Sequence, residues 1–266
     1  MKKKKRLLLL AVLLLFWTVQ NCCIVVTKER VTSGKINNNI KIVQITDLHS
    51  HALSLNIGVL IRKINRLDAD LVVATGDMAA NGSKAGRENV IKLFRGLSAP
   101  VYFVPGEHDD SRDFLDQLEE SGVNVLEDES ARIEVRDTEL DLYGIDNLSF
   151  SPDFDLQSKF GDRDAGIFTI LLAHIPAFDR FLPWGPDLTL SGDTHGGVVR
   201  LPLLGPLYHQ GNWLPRLLGG GEVYDKGMFR LKGGWYFVSS GAGNYPAPLR
   251  LFNRPEICLI ELVPGG

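Results

Sequence analysis

The sequence predicts an α/β domain preceded by one apolar N-terminal helix, and three observations carry that expectation. Along residues 40–105, apolar β-branched runs alternate with stretches of helical periodicity, the strand–helix–strand grammar of a parallel sheet. Farther on, Ile133 and Val135 alternate with Arg132, Glu134 and Arg136, the two-residue period of an antiparallel hairpin with one wet face. At the start, five positive charges in Lys2–Arg6 lead into Leu7 to Val26, broken only by Thr18, Gln20 and Asn21.

A helix of twenty apolar residues just spans a bilayer. No small-x-small site follows it and Val19-Gln-Asn-Cys22 matches a lipoprotein cleavage box poorly, which favours an uncleaved signal anchor over residues 1–26 rather than a cleaved signal peptide. The positive cluster is expected to stay in the cytoplasm, placing the remainder outside the cell membrane. Thr27 to Asn39, polar with an Asn-rich end, reads as a linker, and the folded domain is expected over residues 40–266.

At 44% hydrophobic and 23% charged, 266 residues can bury a sizeable core. Setting aside the five positive charges of Lys2–Arg6 turns a formal net charge of −3 into −8 for the rest, an acidic body unsuited to nucleic acid. Of three cysteines, Cys22 and Cys23 lie in the apolar segment and Cys258 in the run Ile257-Cys-Leu-Ile260, so neither a disulfide framework nor a thiolate zinc site is expected.

In order, Ile40 to Thr46 reads as a strand ending in Asp47-Leu-His49. Ile57, Leu60, Ile61, Ile64 and Leu67 mark a helix, and Asp70 to Thr75 a strand that runs into Gly76-Asp77. Val90, Ile91, Phe94 and Leu97 repeat the helical spacing before Pro100 to Pro105, which ends in Gly106-Glu-His-Asp109. A third helix is expected from Asp113 to Glu120, stopped by Gly122, and then the hairpin, with Asp137-Thr-Glu139 as its turn. Asn147 to Asp164 is polar, with room for a helical turn. Ile167 to Ala173 is a buried strand running into His174-Ile-Pro176, and Leu188 to Ser191 leads into Gly192-Asp-Thr-His-Gly-Gly197. Residues 201–234, rich in Gly, Pro and aromatics, read as a long structured loop in which Tyr208, His209, Trp213 and Arg216 either contact substrate or pack the loop. Trp235 to Ser240 and Glu256 to Leu262 read as closing strands.

Five strand ends thus carry acids and imidazoles, where open α/β sheets collect ligands. Asp47 or Asp77 alone would pass for a helix cap, His49 or His174 for a hydrogen-bonded strand-end histidine, and Glu107 with Asp109 for a solvated turn. Five such ends together form an oxygen- and imidazole-rich set that suits divalent Mn, Fe, Zn or Mg.

The order Asp-x-His, Gly-Asp, Gly-x-His-Asp, His-x-Pro and Gly-x-x-His resembles the calcineurin-like metallophosphoesterases over residues 40–262. The runs Val-Val-Ala-Thr-Gly-Asp, Leu-Leu-Ala-His-Ile-Pro and Gly-Gly-Val-Val-Arg-Leu-Pro, with Pro248-Leu-Arg-Leu and Arg254-Pro-Glu-Ile, are similar to its bacterial, membrane-anchored or exported branch. The resemblance implies a four-layer α-β-β-α sandwich of two mixed sheets with a two-metal site at strand C-terminal ends. By it, Asp47, His49 and His195 hold the first metal and Asp77 bridges to the second. The second is completed by Glu107, His174 and Asp193, while His108 is the general acid and Asp109 orients it.

Two of these positions depart from the family pattern: Glu107 replaces the usual Asn and Asp193 replaces a His. Both replacements can still coordinate, and with two divalent ions they lower the formal charge of the core set from +2 to 0. That weakens attraction for a dianionic monoester more than for a monoanionic diester. The expected activity is hydrolysis by a hydroxide activated between two divalent ions, with manganese favoured over magnesium, iron or zinc. The expected substrate is a phosphodiester or pyrophosphate of an envelope lipid or glycolipid. Two alternatives stay open: a metal-binding protein of this fold with little turnover, and a phosphomonoesterase.

Overall fold

Two six-stranded mixed sheets carry the computed structural model, which describes residues 2–51, 56–109, 111–146, 154–209, 211–218, 222–245 and 247–265. Helix α1 (Lys2–Cys22) is followed by β1 (Val25–Ser33), β2 (Ile40–Ile45), α2 (Ile57–Asn65), β3 (Leu71–Thr75), α3 (Lys84–Arg95), β4 (Val101–Val104), α4 (Arg112–Glu120) and β5 (Asn124–Val125). Next come β6 (Ser130–Val135), β7 (Thr138–Ile145), α5 (Leu156–Phe160), β8 (Phe168–Ala173), α6 (Phe178–Phe181) and β9 (Leu188–Ser191). An excursion of short strands follows: β10 (Arg200–Leu201), β11 (Gly205–Pro206), β12 (Tyr208–His209) and β13 (Asn212–Trp213), then helix α7 (Pro215–Leu218). Finally β14 (Gly227–Leu231), β15 (Gly234–Val238) and β16 (Glu256–Pro264) close the sheets.

The first sheet has the order β1-β16-β2-β3-β4-β5 and the second β14-β15-β9-β8-β7-β6. Alternation along each strand builds three apolar layers. Val43, Ile45, Val72, Ala74 and Phe103 face Leu60, Ile64, Leu93 and Phe114 of the helices α2, α3 and α4. Ile40, Ile42, Leu71 and Val73 face the other way, against Leu140, Ile170, Leu190 and Phe237 of the second sheet. Leu171, Ala173, Tyr236 and Val238 cover the outer face of that sheet with Leu156, Phe178 and Phe181. The result is the expected α-β-β-α sandwich. Its helices start where local chemistry satisfies their free N–H groups: Asn56 Oδ1 accepts from Val59 N and Ser83 Oγ from Gly86 N.

Three segments differ from expectation. The expected linker Thr27–Asn39 contributes β1, an edge strand parallel to β16 from Val25↔Glu256 to Ser33↔Pro264. It is mostly half-exposed, and its partner lies at the other end of the chain, so no local apolar run announces it. Within residues 201–234, Gly227–Leu231 forms β14, joined to β15 by the turn Lys232-Gly233 with φ of 41° and 91°. The hairpin of β6 and β7 turns at Arg136-Asp137, with φ of 48° and 60°, one residue before the expected turn. Residues 147–153 of the expected polar stretch lie outside the described residues, and α5 supplies the helical turn.

Candidate metal centre

Both sheets present their parallel strand ends on one side of the sandwich. Below the site Gln44 Nε2 ties them together, donating to Thr75 Oγ1 at 2.8 Å and Ser191 O at 3.0 Å. The chain leaves the strands abruptly: Asp47, His49, Asp77, Asp193 and His195 all have positive φ, from 42° to 68°. The left-handed region costs a residue with a Cβ ~1–2 kcal/mol, so five such residues in one cluster are strain held by the surrounding packing.

Gly76, at φ 84°, shows how tight that packing is, because a Cβ there would lie 2.6 Å from His174 Nδ1. Gly82 has φ 66° but nothing within 4 Å of a Cβ, so it reports left-handed strain alone. Gly76→Ala is therefore expected to lose metal affinity and melt well below Gly82→Ala, whose cost should stay near ~1 kcal/mol. Calorimetric metal titration and thermal unfolding of the two variants check this, and equal behaviour would contradict it.

The ligand atoms converge. His49 Nε2 and His195 Nε2 are 3.2 Å apart, and His195 Nε2 is 3.6 Å from Asp47 Oδ1. Asp77 Oδ2 stands 3.6 Å from His49 Nε2, 3.5 Å from His174 Nε2 and 3.8 Å from His108 Nε2. Three groups bring their ligand atoms within 4.8 Å of one another: Asp47, His49 and His195; His49, Asp77 and His108; Asp47, Asp77 and His174. Two donors sharing an ion at ~2.1 Å lie ~3–3.5 Å apart, so these spacings fit divalent metal. The tautomers fit too: His174 Nδ1 lies 2.8 Å from Thr75 O, which leaves Nε2 turned to Asp77. The Nδ1 atoms of His49, His108 and His195 are buried with no hydrogen-bond partner among the described residues.

The remaining expected site residues are placed unevenly. Asp193 stands at the rim, its Oδ1 4.0 Å from His174 Nε2, while its backbone N donates to the Asp47 carboxylate at 3.2 Å. Glu107 is exposed and belongs to none of the three groups, although its charge is felt by Asp193. Asp109, expected to orient His108, bonds to backbone rather than to the His108 ring among the described residues. Its buried carboxylate accepts from Met78 N and Ala79 N at 3.1 Å and from Gly106 N at 3.3 Å, which locks the turns after β3 and β4 together. Those three backbone donors are unmet by secondary structure, which is why an acid at this position goes to them.

Electrostatics follow burial and neighbours. Desolvation holds His49 down to about 4, and desolvation with the nearby Arg250 charge holds His195 down to about 3, so both rings are neutral and free to bind metal. At His174 burial opposes the charge, but the Asp77 interaction and the Asp47 carboxylate outweigh it and push the ring up to about 10. Asp77 is held well below the usual carboxylate range: burial opposes its charge, but His174 and the His108 N–H outweigh it. Burial raises Asp109 and Asp193 to about 6, in each case with help from neighbouring carboxylates.

Three further residues shape the site. Tyr245 stacks on His49 at 4.4 Å and 19° and lies 5.0 Å from the His108 ring. Arg250 is buried, donating to Gly243 O at 2.9 Å and Ser240 O at 2.6 Å. It lies in the run Pro248-Leu-Arg-Leu, whose pattern was legible without its role. Fully buried Asp225 pairs with Arg200 and Arg216, at 2.5 and 2.6 Å, and its carbonyl accepts from Thr194 Oγ1. Arg216 and buried His209 thus pack the excursion, whereas Tyr208 and Trp213 meet edge to face at 5.4 Å and remain exposed. Asp225→Ala is expected to destabilise the fold by ~3 kcal/mol, less than a fully enclosed pair because Arg216 is partly solvated, as thermal unfolding would read.

Aspartates and histidines gathered at the strand ends of a two-sheet sandwich define a site fitted to hold divalent metal. The chain belongs to the calcineurin-like phosphoesterase family, whose model matches residues 40–197, and with it to the metal-dependent phosphoester hydrolases. It is 31% identical over 238 residues to the uncharacterized metallophosphoesterase YkuE of Bacillus subtilis (strain 168), covering 85% of this chain and 79% of that protein. Identity to an uncharacterized metallophosphoesterase of Aquifex aeolicus is 28% over 240 residues, covering 85% of this chain and 86% of that protein. A transmembrane protein with metallophosphoesterase domain from Danio rerio is 26% identical over 256 residues, covering 85% of this chain and 53% of that longer protein.

Proposed function

We propose that the protein hydrolyses a phosphodiester or pyrophosphate link of an envelope lipid or glycolipid, at a centre for two divalent ions, with manganese favoured. The observation that carries this reading is the convergence of four imidazole Nε2 atoms and the Asp47 and Asp77 carboxylates on one small space. Asp47, His49 and His195 make one half of the ligand set, Asp77 spans both halves, and His174 with Asp193 makes the other. Divalent ions supply Lewis-acid polarisation of the phosphoryl group and a nucleophile at neutral pH.

The protein's own contribution is positioning and proton transfer. Asp77 Oδ1 is held by the His108 N–H at 2.9 Å, which aims Oδ2 at the histidines. His174 is clamped through Nδ1 by Thr75 O. His108 Nε2, at the half-buried edge of the cluster, carries the proton for the leaving oxygen. Tyr245 covers the face of His49 and excludes water there. Glu107 and Asp193 add negative charge on the second side, which favours a monoanionic diester over a dianionic monoester.

The test is metal analysis of the purified protein with rates on aryl phosphodiester and aryl phosphate under Mn, Mg, Fe or Zn. We expect two equivalents of metal and a higher diester rate, greatest with Mn. Metal binding without turnover would favour a binding protein, and a higher monoester rate a phosphomonoesterase. Helix α1 is the one segment, among the described residues, long and apolar enough to cross a membrane, and we propose that it anchors the chain with the domain outside the cytoplasm. Protease added to spheroplasts should digest the domain; protection until lysis would reverse the orientation.

A further inference from the structure

The end of α1 is packed onto the wall of the site. Asn21, with no exposed surface, donates from Nδ2 to Arg250 O at 3.3 Å and accepts from Arg250 N at 2.8 Å, and its own carbonyl accepts from Asn244 Nδ2 at 2.8 Å. One turn earlier Trp17 Nε1 donates to Pro248 O at 3.0 Å, and the Phe16 and Phe252 rings meet edge to face at 6.0 Å. Just past the helix, Arg254 Nε donates to Cys23 O at 3.1 Å. The segment so pinned also carries Tyr245, which stacks on His49, and Arg250, which braces Ser240 and Gly243 beside Asp47.

The free length of the helix fixes where the membrane must lie. Leu7 to Leu15 stand exposed, and nine residues of helix rise ~13 Å. The hydrocarbon core is ~30 Å thick. With Lys3–Arg6 held at the headgroups of one leaflet, Phe16 to Cys22 add only ~10 Å more, so all of them stay within the hydrocarbon depth. Whatever is bound to those residues is then drawn into the second leaflet.

Beside the buried polar contacts of Asn21, the segment bound to them exposes apolar side chains. Leu249, next to Pro248, is 63% exposed and Phe252, against Phe16, 50%. Through the Val199↔Leu251 bridge and the Arg200 N bond to Leu251 O at 2.9 Å, this segment continues into the excursion, which exposes Trp213, Leu217 and Leu218 at 57–76%. A groove lined by Val198, Val199, Leu207 and Trp213 runs from this rim to Asp193. Exposed apolar side chains gathered on two segments that pair through their backbones mark an interaction face.

We infer that the face formed by residues 247–252, 198–209 and 211–218 docks into the lipid leaflet from which α1 emerges, seating the mouth of the site at the level of the lipid phosphates. The inference rests on the anchor reading above and extends it: the helix sets the orientation of the domain as well as its location. A phosphoester borne by a membrane lipid then reaches the site without leaving the bilayer, its apolar part lying in the groove beside Asp193.

The full-length chain, carrying Cys22→Ser and Cys23→Ser, is reconstituted in phosphatidylglycerol–phosphatidylethanolamine vesicles with a nitroxide on Leu10→Cys, Leu218→Cys, Leu249→Cys or Phe252→Cys. Glu134→Cys, on the hairpin away from the site, is the aqueous control. Power saturation with oxygen and a nickel chelate reads depth. Probes at 218, 249 and 252 are expected to collide with oxygen severalfold more than with nickel, as at 10, and the probe at 134 the reverse. A probe at 10 in the bilayer with those at 218, 249 and 252 behaving like 134 would overturn the docking face and leave the anchor standing. A water-exposed probe at 10 would overturn the anchor and the docking face with it. Thermal unfolding matched to the parent shows that each labelled chain is folded.

Discussion

Asp77→Asn is expected to cut phosphoester turnover on the order of a hundred- to a thousandfold, and to remove at least one equivalent of bound metal. The amide keeps the volume of the carboxylate and can still accept the His108 N–H through its oxygen. It loses the negative charge that faces His49, His174 and His108 between 3.5 and 3.8 Å. One ligand atom serving three imidazoles has no substitute nearby, because Asp47 is committed to His195 and to the Asp193 N–H. His108→Ala should separate from it: metal content stays, turnover falls ~10²–10⁴-fold, and the loss grows as the leaving group becomes more basic. Equal loss of metal in both variants would remove His108 from the role of acid and make it a ligand, which its place beside His49 and Asp77 also permits geometrically.

The helices and the strand ends were legible in the sequence because each rests on local chemistry, whereas the layered arrangement of two sheets followed from the family resemblance. The apolar, β-branched run Ile40–Ile45 and helical spacing from Ile57 to Ile64 need no partner to be recognised, and the strands β2 and β3 deliver Asp47, His49 and Asp77 wherever the sheet forms. What was not legible depends on contacts between distant segments. β1 is a strand because β16 lies beside it, and no periodicity in Thr27–Ser33 reports that. Asp109 sits next to His108 in sequence, yet the unmet N–H groups of Met78, Ala79 and Gly106 claim its carboxylate. Glu107 shares a strand end with ligand-bearing neighbours, but the turn after β4 leaves it exposed. Tyr245 and Arg250 enter the site through a return loop whose path is set by α1 and β16, so only the folded chain places them against His49 and Asp47.

Removing divalent metal is expected to abolish turnover and to lower the melting temperature by ~5–11 °C for each site that is saturated at a hundred times its dissociation constant. At that excess, binding stabilises the fold by ~2.7 kcal/mol, and 1 kcal/mol moves a domain of this size by ~2–4 °C. The gap should depend on pH with a definite sign. Without metal, His174 is pushed from 6.5 up to about 10, so at neutral pH its Nε2 carries a proton toward Asp77. That pair stabilises the metal-free fold fully below pH 6.5, and the contribution is lost as pH rises through about 10. Metal must displace the proton, so each unit of falling pH costs up to ~1.4 kcal/mol of apparent affinity. Asp193, raised to about 6, takes up a second competing proton below that pH. Melting curves with and without Mn should therefore separate more at pH 8 than at pH 6, and a pH-stat should record proton release on metal addition at pH 7. A gap that is the same at both pH values, or one that survives intact in Asp77→Asn, would mean that the metal is held elsewhere than between Asp77 and His174.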